Sequence, residues 1–452
     1  MKLKELISNL IEATERAQHI VPKGSLFDGE WAGFKNIDGF GSLNVSREMN
    51  RIVGEIAKIF YDGDAGLART WTRDDWFKTV DKAIIPMIAK CDPEYDRVEI
   101  TEEIVKNLAV SLEQQKRPNP FSFIFGCYVF ATELPMPISF GKVSFWPRSL
   151  WLDDQIKRNT ISEAVYEGLK RTWQGVERAQ GERDHSEDRA VEKSIRGAVG
   201  SCNYICEVAM DGHSGASAQS KALMAMRFGL TGIALTWQTP SKALFNMPSL
   251  FDGLSRIEEN AILASGRIWP GGMRRTAGYG QPLIDVTWDK VEEDFREIFG
   301  AVTEIIEYVL DANGSAARPK LMDALAHSML WFHEACRETL PMVAVAKYVA
   351  SMDALAAGSG SASGLVKAMT SIFGVDEHRP IRMNGPTFRE ALIDLYSQGR
   401  SRLLHGSSDR LMHDWESSRS LAEAFARQAL VMSLDWATNN PGCDNPKALG
   451  QR

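Results

Sequence analysis

Cysteine is scarce in this chain, and no two cysteines stand at the two-residue spacing of a metal-binding pair. Cys91, Cys127, Cys202, Cys206, Cys336 and Cys443 are scattered over 452 residues, and nothing groups them with the eight histidines. A disulfide framework and a Cys/His zinc site are thereby excluded, because each needs its cysteines at characteristic spacings. A chain of this length buries enough apolar surface to do without such staples. It reads as a reduced, cytosolic protein of two or three domains with no metal and no cofactor.

Long apolar runs are missing too. The most apolar stretch, FSFIFGCYVFAT (Phe121 to Thr132), is too short to span a bilayer and is followed by Glu133, Pro135 and Pro137. Its length and aromatic content fit a buried strand. The opening MKLKELISNLIEATERA carries Glu5, Glu12 and Glu15 where a signal peptide would be apolar, so it reads as an amphipathic helix and no membrane partner is expected. An excess of positive charge is the third absence. With a formal net charge of −7, the chain cannot coat nucleic acid with its whole surface, and any RNA or DNA site has to be a focused patch.

What is present changes character near residue 285. Earlier residues mix helical periodicity, near 3–18, 74–90 and 102–115, with strand-like runs in FSFIFGCYVFAT, ISFGKVSFWP and NYICEVAM, an α+β pattern. The last of these strands leads into a long, largely buried helix in GASAQSKALMAMRFGLTGIALTW (Gly215 to Trp237). GVERAQGERDHSEDRAVEK (Gly175 to Lys193) is dense in both charges and predicts a solvated loop or helix. From Trp288, helix follows helix. Val291, Phe295, Ile298, Phe299, Val302, Ile305, Ile306 and Val309 form one apolar stripe, and Pro319 suits the first turn of the next helix. Pro341 should kink or divide that helix. After the flexible GSGSASG comes a short helix, LVKAMTSIFG, then a helix from Pro386 capped by Asn384 or Gly385, and a last one from about Ser417 to Trp436. The expectation is an α+β region over 1–285, an all-α bundle over 286–440 and a tail over 441–452.

The bundle contains LYSQGRSRLLHG (Leu395 to Gly406), where Arg400 precedes His405 and glycines stand on either side. The same loose Arg-to-His spacing recurs at Arg178 and His185, so spacing alone selects neither pair. Residues five apart on an unbroken α-helix are separated by roughly 140°. Either the helix loosens after Gly399, or a second copy supplies the complement. Gly406 can take the left-handed conformation that ends a helix. Chemically, Arg400 offers a permanently charged fork for phosphate and His405 a proton carrier near neutral pH. Structurally, His405 could instead cap the helix carbonyls while Arg400 makes a salt bridge within the bundle. His327 and His333, six apart and so roughly 240° around the helix, make a poor metal pair. His378 and His413 read as surface positions.

Tyr396, Arg400, Ser401, His405 and Gly406 follow in order the motif of the HEPN superfamily, and specifically of Apea-like HEPN proteins, which the chain resembles over about residues 290–440. AKYVASMDALAA is similar to that family's earlier helix, with Asp353 where Glu is more usual. The resemblance implies a HEPN helical bundle acting as a homodimer, and a metal-independent endoribonuclease with Arg400 and His405 as its catalytic pair. Ser401, Arg402, Tyr396 and Asp353 would support them or contact RNA. It further implies a setting in anti-phage defence or toxin-like growth arrest, with residues 1–285 sensing or restraining and an inhibitor or trigger protein as a partner. The alternative is a HEPN module that dimerises, binds nucleotide or serves as an adaptor without cutting.

Overall fold

The computed structural model describes residues 2–18, 31–38, 41–90, 96–116, 119–176, 186–253, 258–264, 267–274, 280–283, 287–410 and 412–451. They form two compact units. One comprises Met1–Phe121, Met210–Lys221 and Ala312–Gly314; the other comprises Ser122–Ala209, Ala222–Asp311 and Ser315–Arg452. The pair Arg178 and His185 lies outside the described residues. Among the described residues no helix is long and apolar enough to cross a membrane.

The first unit holds helix α1 (Lys2–Gln18), an antiparallel hairpin β1 (Trp31–Ile37) and β2 (Gly41–Ser46), and helices α2 (Arg47–Asp62), α3 (Ala65–Thr70), α4 (Arg73–Ala89) and α5 (Arg97–Gln115). Ser46, Asp64, Thr72 and Asp96 each accept a backbone N–H through their side chains, so four helix starts have a partner for one of their orphan donors. Residues three and four apart, including Ile7, Leu10, Met49, Val53, Ile56, Trp76, Val80, Ile84 and Leu108, meet in one core.

The second unit begins with a sheet. Strands β3 (Phe121–Cys127), β4 (Ile138–Phe140) and β5 (Val143–Pro147) are followed by helices α6 (Arg148–Lys157), α7 (Glu163–Trp173) and α8 (Ser186–Val199) and by strand β6 (Tyr204–Met210). The sheet order is β3-β6-β5-β4, with β4, β5 and β6 antiparallel neighbours. Helices α9 (Gly215–Ala234) and α10 (Pro240–Asn246) and the antiparallel hairpin β7 (Glu258–Ala264) and β8 (Arg267–Arg274) come next. The bundle then runs through α11 (Trp288–Asp294), α12 (Arg296–Val309), α13 (Pro319–Arg337), α14 (Pro341–Leu355), α15 (Ala362–Phe373) and α16 (Phe388–Asp394). A π-helical segment (Leu395–Arg402), α17 (Glu416–Asn439) and a short 3-10 turn (Pro446–Ala448) complete it. Arg318 ties three of these helices: it pairs with Glu304 of α12, starts α13, and donates to the carbonyl oxygens of Ala437 and Asn440 at the end of α17.

An α+β portion followed by helices is what the periodicity predicts, and both prolines do as expected: Pro319 and Pro341 each open a helix. The boundary expected near residue 285 is not where packing divides the chain. Asp252 accepts from Arg227 of α9 and from Arg337 of α13, and Arg427 of α17 donates to the carbonyls of Leu235 and Trp237. Gly229 of α9 lies so close to Phe145 that a Cβ would overlap the ring. Sheet, α9 and bundle thus share one interior, and composition cannot reveal such long-range ties. The stripe from Val291 to Val309 is likewise two helices, because Phe295 leaves helical geometry at φ −113° and ψ 18°.

One buried histidine makes the bundle sensitive to acid. Thr231 Oγ1 donates to the Arg227 carbonyl, so His333 Nδ1 must donate to Thr231 at 3.0 Å, leaving Nε2 buried with no partner among the described residues. Burial, helped by Arg337, pushes the His333 pKa from 6.5 down to about 3. Between those pH values the unfolded chain binds the extra proton and the folded chain does not. The contribution is therefore present above pH 6.5 and lost as pH falls below it, at up to about 1.4 kcal/mol per unit. Urea unfolding from pH 7 to pH 5 should show a shallower loss for His333→Gln than for the parent; equal slopes would mean that His333 titrates normally.

Candidate functional site

The helix bearing the motif starts two residues later than Pro386 suggests, at Phe388. Thr387 is its cap: the hydroxyl accepts from Glu390 N, and the Glu390 carboxylate accepts from Thr387 N. This reciprocal box satisfies two orphan donors, which neither Asn384 nor Gly385 could do from its position. Phe388, Ala391, Leu392 and Leu395 are buried on the face turned to the bundle.

From Leu395 the helix widens to π geometry and stays so through Arg402. Single π turns are uncommon and concentrate at functional sites. The loosening predicted after Gly399 therefore begins four residues earlier. Gly399 lies against α14, where a Cβ would overlap Val345 Cγ1, so the absence of a side chain is what lets the two helices approach.

That approach sets Arg400 beside Asp353 of α14. Arg400 Nη1 stands 3.1 Å from Asp353 Oδ2, with Asp353 almost wholly buried and Arg400 about a quarter exposed. Asp353 Oδ1 accepts from Ser359 Oγ at 3.1 Å, which fixes the carboxylate. Tyr396, one turn back, places its ring 5.3 Å below the guanidinium and its hydroxyl 3.2 Å from Nη1. Arg400 Nε is buried with no partner among the described residues. A guanidinium held through one nitrogen keeps other N–H donors for an anion. The shorter Asp353 side chain thus reaches Arg400 without difficulty.

His405 is placed differently. It lies beyond the π segment, its backbone N–H donates to Ser401 O, and its ring is exposed with no hydrogen bond to any described residue. The helix end is closed by backbone: Gly406 takes φ 68°, its N–H donates to Leu403 O, and Ser407 N–H donates to Arg402 O. The ring of His405 caps nothing. Ser401 is half-buried, and Arg402 is exposed with a loose pair to Asp409 at 3.5 Å. His378 and His413 are exposed.

Arg400 and Asp353 open onto a groove of about 620 Å³ that also takes in Lys320, His327 and Trp331 of α13 and Lys347 of α14. His405 does not line it. His327 Nδ1 stands 2.9 Å from the Asp323 carbonyl and 3.4 Å from its carboxylate, so Nδ1 is the donor and Nε2 is left as an acceptor. Tyr308 donates to the same carboxylate at 3.2 Å. Sequence reasoning passed over His327 by weighing it only as a metal partner of the buried His333. A signal existed: Lys320, Ala324, His327 and Trp331 recur at helical spacing, as do Ala346, Ala350 and Ala354 on α14, two facing stripes whose alanines leave room. Among the described residues no three His, Cys, Asp or Glu side chains gather as a metal-ligating group.

Gly399→Ala should destabilise the bundle by about 1–3 kcal/mol, because the added methyl has to displace Val345 or push the π segment away. Chemical unfolding measures this directly, and parent-like stability would show that the close approach is not required. Compared with known families, curated proteins and solved structures, the chain matches none of them, so its function has to be read from these residues and their geometry.

Proposed function

We propose that the protein is a metal-independent endoribonuclease of the HEPN type, with Arg400 and His405 as its working pair. The supporting observation is the division of labour between them. Arg400 is held by Asp353 and Tyr396 with donors to spare, while the His405 ring, a few residues on, is exposed and has no hydrogen bond to any described residue. RNA brings its own nucleophile in the 2′-hydroxyl. A base takes that proton, the 2′-oxygen bonds to phosphorus, the bond to the 5′-oxygen breaks, and an acid protonates the departing oxygen. Arg400 stabilises the charge gathering on the non-bridging oxygens.

Two proton carriers are needed, and the motif of one chain supplies a single histidine. A homodimer through the bundle brings the second from another copy, and the 68% exposure of Leu404 beside His405 suits an apolar contact there. A second reading rests on His327, which shares the groove with Arg400 as His405 does not. In that case base and acid come from one chain, and no dimer is required. The regulatory role expected of residues 1–285 falls to the first unit, since residues 122–209 and 222–285 belong with the bundle. Anti-phage defence or growth arrest is the setting this activity fits.

Purified protein should cut RNA in excess EDTA, leave DNA intact, and yield 2′,3′-cyclic phosphate or 3′-phosphate ends. Cleavage abolished by EDTA, or 5′-phosphate products, would sink the mechanism. Light scattering of the full chain over a hundredfold dilution should show a dimer. A strictly monomeric, active protein would favour His327 as the second carrier.

A further inference from the structure

A second basin lies in the same unit, built from different elements. It has a volume of about 990 Å³ and is lined by Arg148, Trp173, Arg189, Lys193 and Arg196, with the backbone of Gly197, Gly200 and Ser201 along one side. Arg148 opens α6; the other three cations stand on α8 at i, i+4 and i+7, one face of the helix.

The cations are arranged to receive rather than to pair. Arg148 is held in place: its guanidinium lies 4.9 Å over the Trp173 ring, and Nη1 donates to the Cys202 carbonyl at 3.0 Å. Neither contact neutralises it. Arg189 and Lys193 are exposed and have no ion-pair partner among the described residues. The carboxylate on this rim, Glu192, is turned down against Gly168, where a Cβ would crowd it, and stands 3.7 Å from Arg196. Among the described residues lining the basin, four cations stand with one carboxylate, a focused positive patch on a chain whose formal net charge is −7.

From Arg189 to Arg196 the α8 cations climb about 10 Å of helix axis, too far for a single phosphate to engage all of them. We infer that this basin binds a run of linked phosphates, as in a nucleic-acid backbone or a nucleoside polyphosphate. Trp173 orients Arg148, and the exposed Arg189 and Lys193 supply N–H donors to phosphate oxygens. The inference stands on residues remote in sequence from Arg400 and His405, and does not depend on any cleavage.

Binding to the full chain is tested with inorganic tripolyphosphate by calorimetry and with a labelled, uncleavable 2′-O-methyl oligonucleotide by anisotropy. The comparison protein is the double variant Arg189→Gln, Lys193→Gln, whose side chains are exposed and whose folding a melting curve checks. At least one probe should bind the parent, and the double variant should lower the slope of log affinity against log salt by about 1.4–1.8. Tripolyphosphate that binds and displaces the oligonucleotide marks a free polyphosphate as the ligand; binding of the oligonucleotide alone marks a nucleic-acid backbone. If neither probe binds at about 50 mM salt, or if the double variant keeps the parent's affinity and slope, the inference is wrong. Should the variant melt early, Arg189→Glu alone replaces it, and unchanged oligonucleotide affinity there overturns the inference equally.

Discussion

The ion pair between Arg400 and Asp353 is the contact on which the candidate site depends. It joins the π-helical segment to α14, and it forms because Gly399 lets those two elements meet at Val345. Without the pair, a guanidinium only a quarter exposed would be left largely out of water with its charge unanswered, a cost of about 1–3 kcal/mol. With it, Arg400 has a fixed direction. Tyr396 supports the guanidinium from below and Ser359 holds the carboxylate from the far side, so the geometry is fixed over several contacts rather than one.

The same pair limits the electrostatics. Asp353 offsets much of the charge of Arg400, and Glu338 offsets that of Lys347 at 2.8 Å. The groove is therefore better suited to recognising a phosphate by direction than to attracting one from a distance. The basin around Arg148 and α8 has the surplus positive charge that the groove lacks.

Much of the local structure was legible in the sequence, since local chemistry causes it. Pro319 and Pro341 start helices because their missing N–H is not needed there. Gly406 ends one because it can take a positive φ. The strands at Phe121–Cys127 and Tyr204–Met210 follow from β-branched and aromatic runs. The candidate site was partly legible: the resemblance named Arg400, Tyr396 and Asp353, which do meet, and the roughly 140° between residues five apart on a helix already set the side chains of Arg400 and His405 in different directions. An α turn and a π turn bury the same apolar residues at Leu392 and Leu395, so periodicity could not distinguish them. The unit boundary was hidden for another reason. Contacts such as those of Asp252 with Arg227 and Arg337 join α9 to the bundle across long stretches of chain, and these residues are brought together only by folding.

The central claim is that Arg400 and His405 carry out the chemistry of RNA cleavage. It is tested most directly by the single-turnover rate of His405→Ala, measured beside Arg400→Ala and His327→Ala with each variant shown to be folded. His405→Ala should lose about a hundredfold to ten-thousandfold, the share of a general acid or base, and Arg400→Ala a comparable amount. A His405→Ala protein that cuts RNA as fast as the parent would contradict the account.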